Sequence, residues 1–192
     1  MLMSFHNSNY EFVELTENAK EKFGHQYVPR PNYTDYPTKA VAILTFGETK
    51  DDLWIQQRPP TDSKPLYWEI VAGSKAAKHD SIEDAAREEV KEELFGYDLD
   101  EAPENFDLDY VGNVCKPTEN PQQIYLFAYN SGRNGFPESD EVYRGEFVSI
   151  DQLAQKTDRK DFTDCSMYAL EAMGFLDSSD DYIGQVLENE FS

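Results

Sequence analysis

The segment from Val71 to Gly96, VAGSKAAKHDSIEDAAREEVKEELFG, constrains the fold more than any other part of the chain. An apolar strand end runs through a loop of small residues into a helix whose start is marked. Ser81 with Asp84 three positions on is a capping-box pattern, so the helix is expected to run to about Phe95. At roughly 100° per residue, Ala86, Val90 and Leu94 form one apolar stripe that needs a sheet to pack on. Glu89, Glu92 and Glu93 share the adjoining face; Asp84, Arg87 and Lys91 point outward, with Glu88 at the border. Like charges at this spacing repel by a few tenths of a kcal/mol on an exposed helix, and more where water is partly excluded. Such crowding needs either a solvated face or a compensating cation. Hard carboxylate oxygens gathered in this way suit Mg²⁺ or Mn²⁺, whereas an acidic surface helix is the alternative in a chain this rich in carboxylates.

The rest of the chain supplies the sheet. KAVAILTF, LWIQQR and LYWEIVAG read as three strands before the helix, the first two joined by the turn GETKDD. DLDYVGNVC, QQIYLFAYN and GEFVSI read as three more, and IDQLAQKT and DCSMYALEAMGFL as closing helices. Ahead of these, YEFVEL is a short strand, TENAKEKFG a helical turn or two ending at Gly24, and VPRPNYTDYP a proline-punctuated connector. The expectation is an α/β protein, a mixed sheet with helices on both faces. Its divisions are an N-terminal extension over residues 1–38, one domain over 39–177 and a polar tail over 178–192.

Charge narrows the partners. With 38 acidic against 17 basic residues the formal charge is −21, which argues against nucleic acid and against an anionic membrane surface. A phosphate-bearing substrate would be repelled by such a surface, so its site must concentrate the few Arg and Lys or borrow cations. Cys115 and Cys165 are far apart and lack metal-ligand spacing. The opening residues, MLMSFHNSNYEF, have neither a basic region nor an apolar run, and no later stretch approaches a membrane span. A cytoplasmic protein with a small-molecule substrate is expected; a homodimer is admitted, not required. DLDEAPENFDLD fails as a calcium loop, because Ala102 and Pro103 stand where a ligand and the turn glycine are needed.

The stretch beginning at Ser74 resembles the box of the Nudix hydrolase family, G-x5-E-x7-R-E-U-x-E-E-x-G-U with U a bulky apolar residue. In the matching register Ser74 takes the first glycine, Asp80 the loop glutamate and Glu88 the arginine. Glu89 and Val90 follow, Glu92 and Glu93 fall on the paired glutamates, and Phe95 takes the last glycine. The register one residue earlier puts Glu89 on the apolar position and Lys91 on a ligand, and is rejected. The pattern extends over roughly Lys39 to Phe175. The resemblance implies a Nudix-type α/β/α sandwich and Mg²⁺-dependent (or Mn²⁺-dependent) attack of water on a diphosphate bond in a nucleoside diphosphate linked to another group. It also implies Glu89, Glu92, Glu93 and Asp80 as metal ligands, with Glu89, Glu92 and Glu93 carrying catalysis. Arg58, Trp68 and Glu69 are the substrate-binding candidates, although Arg58 equally suits a surface ion pair and Trp68 the core.

Three further features bear on activity. Glu88 replaces the arginine that in the family holds loop against helix, and on sequence alone adds negative charge beside Asp80 and Glu92. Glu88→Arg is therefore expected to stabilise the metal-free protein, unless another residue, Arg87 first, has taken over the support. A catalytically weakened nucleotide-binding module is the alternative function. Lys75, Lys78 and His79 read as solvated loop residues. Glu138, Asp140 and Glu141 read as an acidic loop where some members place a general base, and Pro117 as a loose match to a downstream proline of ADP-ribose-type members. A diphosphate isomerase of the same box is disfavoured, because no Cys precedes Cys115 and only His6 and His25 lie upstream of the box.

Overall fold

A computed structural model describes residues 12–30, 35–62, 64–96, 103, 105–116, 121–137, 142–156 and 161–176. The tail over 178–192, the Glu138, Asp140, Glu141 loop and Pro117 lie outside the described residues.

The centre is a seven-stranded mixed sheet built on β3 (Thr38–Phe46). Its apolar run is long because both faces are covered. One edge of β3 pairs in parallel with β8 (Gln122–Asn130), which pairs antiparallel with β7 (Asp109–Lys116). Along its other edge β3 meets β4 (Asp52–Gln57) only where Phe46 faces Leu53, and β4 carries β9 (Arg144–Ser149) on its far side. Below that contact β3 and β4 diverge. The run LYWEIVAG, expected as one strand, is consequently two. β5 (Trp68–Glu69) pairs with β4, and β6 (Val71–Ser74) pairs with β3. A single straight strand cannot bond both partners once they separate, so the chain crosses at Ile70.

Side-chain alternation sends Val41, Ile43 and Val71 to one face, where the helix α2 (Ile82–Phe95) lays Ala86, Val90 and Leu94 against them. Ala40, Ala42, Leu44, Ile124 and Leu126 face the other way. They meet α4 (Asp164–Ala172) and Leu153 of α3 (Ile150–Lys156). The layers are helix, sheet, helix, as expected. The capping box at Ser81 is formed, its hydroxyl accepting from Asp84 N and Asp84 Oδ2 accepting from Ser81 N, both at 3.0 Å. The helix ends at Gly96, whose φ of 58° closes it in the left-handed region. Among the described residues no helix is long and apolar enough to cross a membrane.

The N-terminal segment has its own order. β1 (Phe12–Glu14) pairs with β2 (Tyr27–Pro29), and between them α1 (Glu17–Phe23) is capped by Thr16. Part of the expected connector VPRPNYTDYP is thus a strand, because Val28 is buried with Leu15 and Ala19. The same segment reaches the box loop. Glu14 N donates to Lys75 O at 2.8 Å and Ala77 N to Phe12 O at 2.7 Å, so residues 12–14 hold the loop that leads into α2.

Candidate active site

The divergence of β3 and β4 opens the sheet, and the acidic face of α2 lies across the opening. Glu93 is buried there. Its Oε2 accepts from Gln56 Nε2 at 2.7 Å and Ala72 N at 3.3 Å, and Gln56 is itself oriented by Trp54 Nε1 at 3.0 Å. Burial, then the nearby Glu69 and Glu89, push the Glu93 carboxyl well above the usual carboxylate range. Burial likewise raises Glu69 against the pull of Arg58. The carboxylate of Glu89 rests on Gly73, where a Cβ would fall 1.8 Å from Oε1. A side chain at Gly73 would displace the Glu89 carboxylate from this position. The structure thus brings Glu69, Glu89 and Glu93 together. Glu92 is half-buried and Asp80 exposed, and among the described residues neither has a hydrogen bond or ion pair to that group. Likewise, among the described residues no three His, Cys, Asp or Glu side chains are closed around one metal position. The crowded, partly buried carboxylates are nevertheless hard oxygen donors with like charges to neutralise, which is the donor chemistry that suits Mg²⁺ or Mn²⁺.

On the α4 side the opening continues as a cavity of about 410 Å³. Small residues make its floor, Ala40, Ala72 and Gly73, and Glu69 forms the wall nearest the box. Arg30, Arg58, Lys64 and Lys116 line it with Asp164, the concentration of cations that the overall charge requires of a phosphate site. Arg58 Nη1 donates to Glu69 Oε2 at 2.8 Å and Nη2 to Asp62, while its Nε is buried with no hydrogen-bond partner among the described residues. Trp68 is placed elsewhere, in the α4-side core beneath the Arg144 guanidinium, and does not line this cavity. Lys64, Lys116 and Asp164 were not singled out from sequence. Lys116 had a signal: it follows Val114 by two in a strand, so it shares the inward face, where a charge is exceptional.

Glu88 is not an unsupported anion. Lys78 Nζ donates to its Oε1 at 2.6 Å, and His79 Nε2 lies 2.9 Å from its Oε2. Ala76 N donates to His79 Nδ1 at 3.2 Å, which leaves the ring hydrogen on Nε2, aimed at Glu88. Burial raises the Glu88 carboxyl, but Lys78 and His79 outweigh it and hold the group below its ordinary value. Loop and helix are therefore joined by an ion pair of reversed polarity, with the cation on the loop and the anion on the helix. This corrects two expectations: Lys75 and His79 are buried, not solvated, and Arg87 has not taken over the support. It binds Glu83 at 2.7 Å and the Phe106 carbonyl instead.

The expected effect of Glu88→Arg reverses accordingly. The arginine would face Lys78 and the Nε2 hydrogen of His79, leaving a buried donor without its acceptor, which costs about 1–3 kcal/mol. Thermal unfolding without Mg²⁺ should show destabilisation of roughly that size. Adding Lys78→Glu should recover part of it, through an exposed pair worth up to ~1 kcal/mol. A more stable single variant would contradict the reversed ion pair.

A family model described as NUDIX domain matches residues 36–168. Among solved structures, DR0079 from Deinococcus radiodurans superposes with a TM-score of 0.58 at 17% identity, covering 76% of this chain and 87% of that one. The dihydroneopterin triphosphate pyrophosphohydrolase of E. coli gives 0.53 at 16%, covering 70% and 92%. A NUDIX hydrolase from Nitrosomonas europaea gives 0.52 at 17%, covering 72% and 88%. At these identities the likeness is one of fold. Among curated proteins none matches the sequence.

Proposed function

Because the chain belongs to the Nudix family and is a pyrophosphohydrolase of it, we propose that its substrate is a nucleoside diphosphate linked to another group, cleaved with Mg²⁺ or Mn²⁺. One observation carries this reading: Glu69, with Glu93 beside it and Glu89 against Gly73, lines a cavity that also holds Arg30, Arg58, Lys64 and Lys116. Carboxylates alone would repel a diphosphate, and cations alone would bind it without activating water. Their adjacency suits hydrolysis.

Glu89 and Glu93, with Glu92 on the same helix face, would hold the ion, and Asp80 would join them only if the loop brought it in. A bound divalent ion polarises phosphoryl oxygens and lowers the pKa of water at that point. The chain's own groups do the rest. Gln56 and the Ala72 amide fix the Glu93 carboxylate, so that its orientation needs no rearrangement. Arg58, which lines the cavity beside Glu69, brings a guanidinium charge to a phosphate oxygen. Glu69, raised by burial, is suited to take a proton from the attacking water at a carboxylate oxygen, while Arg58 restrains its position.

The test is a panel of nucleoside diphosphate sugars, dinucleoside polyphosphates and nucleoside triphosphates, with dihydroneopterin triphosphate added, assayed for product release in Mg²⁺ or Mn²⁺. Turnover of a diphosphate-linked member is expected to vanish in chelator. Binding should fall with it by more than matched ionic strength explains, since salt screens only the exposed charges. Equal affinity in chelator with no turnover would point instead to a nucleotide-binding module that relies on basic side chains such as Arg58.

A further inference from the structure

The end of the cavity farthest from the box is built around a buried lysine. Lys116 closes β7, and the strand alternation turns it onto the face that α4 covers, where its side chain is 5% exposed. Its Nζ lies 3.2 Å from Asp164 Oδ2, and Lys64 Nζ lies 3.1 Å from Asp164 Oδ1. Among the described residues neither lysine has another ion pair. One carboxylate, itself 45% exposed, therefore serves two ammonium groups, one of them taken out of water at considerable cost. Arg58 is matched by Glu69 and Asp62, whereas the Lys64, Lys116 and Asp164 group keeps a net positive charge in a chain of −21.

Strand order separates the Lys116 end of this group from the box strand, whereas Asp164 follows Thr163, whose N donates to the Trp68 carbonyl beside Glu69. Ser74 faces Ala40, Ala40 lies beside Ile124, and Lys116 faces Gln122. Lys116 is thus three strands from the box strand, about 14 Å at the usual strand spacing. A diphosphate, whose two phosphorus atoms share one oxygen, is shorter than that backbone span.

We propose that Lys64 and Lys116 form a second anion subsite, for a phosphate or carboxylate that the substrate carries away from its hydrolysed diphosphate. In the free protein Asp164 holds the place that this anion takes. The proposal rests on the pyrophosphohydrolase reading of the same cavity and names its substrate class: a nucleoside diphosphate derivative with a remote second anion. Charge at the far end then supplies selectivity that the diphosphate, common to all candidates, does not.

Two matched probe pairs locate the anion. NADP⁺ against NAD⁺ adds a phosphate on the nucleoside side; UDP-glucuronate against UDP-glucose adds a carboxylate on the linked group. Affinity is read from thermal shifts in Mg²⁺, and hydrolysis separately from product release. In at least one pair the anionic member is expected to bind tenfold tighter or more. Lys116→Met should bring that ratio close to one, and Asp164→Asn, which removes the competing carboxylate, should raise it severalfold. A merely structural trio would respond to both variants in the same direction. Should Lys116→Met not fold, Lys64→Met, at a more exposed position, reads the same ratio. No preference in either pair overturns the subsite, as does a preference that survives the lysine variants or falls with Asp164→Asn. Hydrolysis without preference overturns the subsite and leaves the diphosphate-linked substrate standing; preference without hydrolysis of any probe leaves the subsite standing and removes these compounds as substrates.

Discussion

Glu93→Gln is expected to lower metal-dependent turnover by ~10²-fold or more while leaving the fold in place. Even outer-shell partners of a bound metal are typically worth about 10–100-fold, and Glu93 is proposed to touch the ion. The glutamine has the same shape, and its carbonyl oxygen can accept from Gln56 Nε2 and Ala72 N as the carboxylate does. What disappears is a buried carboxyl able to carry a negative charge beside Glu69 and Glu89. The metal-free protein should therefore be as stable as the wild type or slightly more so, and the stabilisation contributed by Mg²⁺ should shrink. Turnover and thermal unfolding, each with and without Mg²⁺, read the two effects separately. Full activity in the variant would remove Glu93 from the site, and loss of fold would show that the buried charge is needed for structure.

The largest effect on stability is expected at Glu14, in the N-terminal segment. Its Oε1 accepts from Lys20 at 2.6 Å and Lys39 at 3.0 Å, and its Oε2 lies 3.3 Å from Lys75, a buried lysine that also binds the carbonyls of Ala76 and His79. Burial alone would raise the Glu14 carboxyl, but the bonds from Lys20 and Lys39 outweigh it and lower the pKa from 4.5 to about 2. A carboxyl depressed in the folded state stabilises the fold above its unfolded pKa. That contribution, on the order of 3 kcal/mol for a shift of this size, is lost as pH falls from about 4.5 through about 2. Glu14→Gln should remove a similar amount at neutral pH, since it leaves Lys75 without its counter-charge. At roughly 2–4 °C per kcal/mol for a chain of this length, the melting temperature should drop by about 6–12 °C. The difference between variant and wild type should close on acidification. A difference that stays constant from pH 7 to pH 3 would show that Glu14 acts through packing and not through charge.

This second case explains why an N-terminal extension matters to a site it does not enter. Glu14 anchors Lys75, Lys75 holds the loop through the Ala76 and His79 carbonyls, and His79 meets Glu88 on the helix. Loosening the first link is expected to disturb the approach of the loop to Glu89 and Glu93, so some activity should be lost along with stability.

The sequence by itself determined what depends on neighbours along the chain. The capping box at Ser81 and Asp84, the Ala86, Val90 and Leu94 stripe and the shared face of Glu89, Glu92 and Glu93 all follow from the 3.6-residue repeat, and the main strands follow from apolar runs between turns. The nearness of Glu89 to Glu93 was legible for the same reason, whereas Glu69 joins them from β5 only through the folding of the sheet. Only the tertiary structure decided which charges meet across the fold. Glu88 read as an isolated anion because its partners, Lys78 and His79, lie ten and nine positions away in a loop whose path no periodicity fixes. The split of LYWEIVAG depends on where β3 and β4 part, which is a property of two other strands. Lys116 faces Asp164 only because α4 folds back over β7, some fifty residues later in the chain. Local repeats set which residues share a face, whereas the long-range Coulomb partners that decide what a charge does are brought together only by packing.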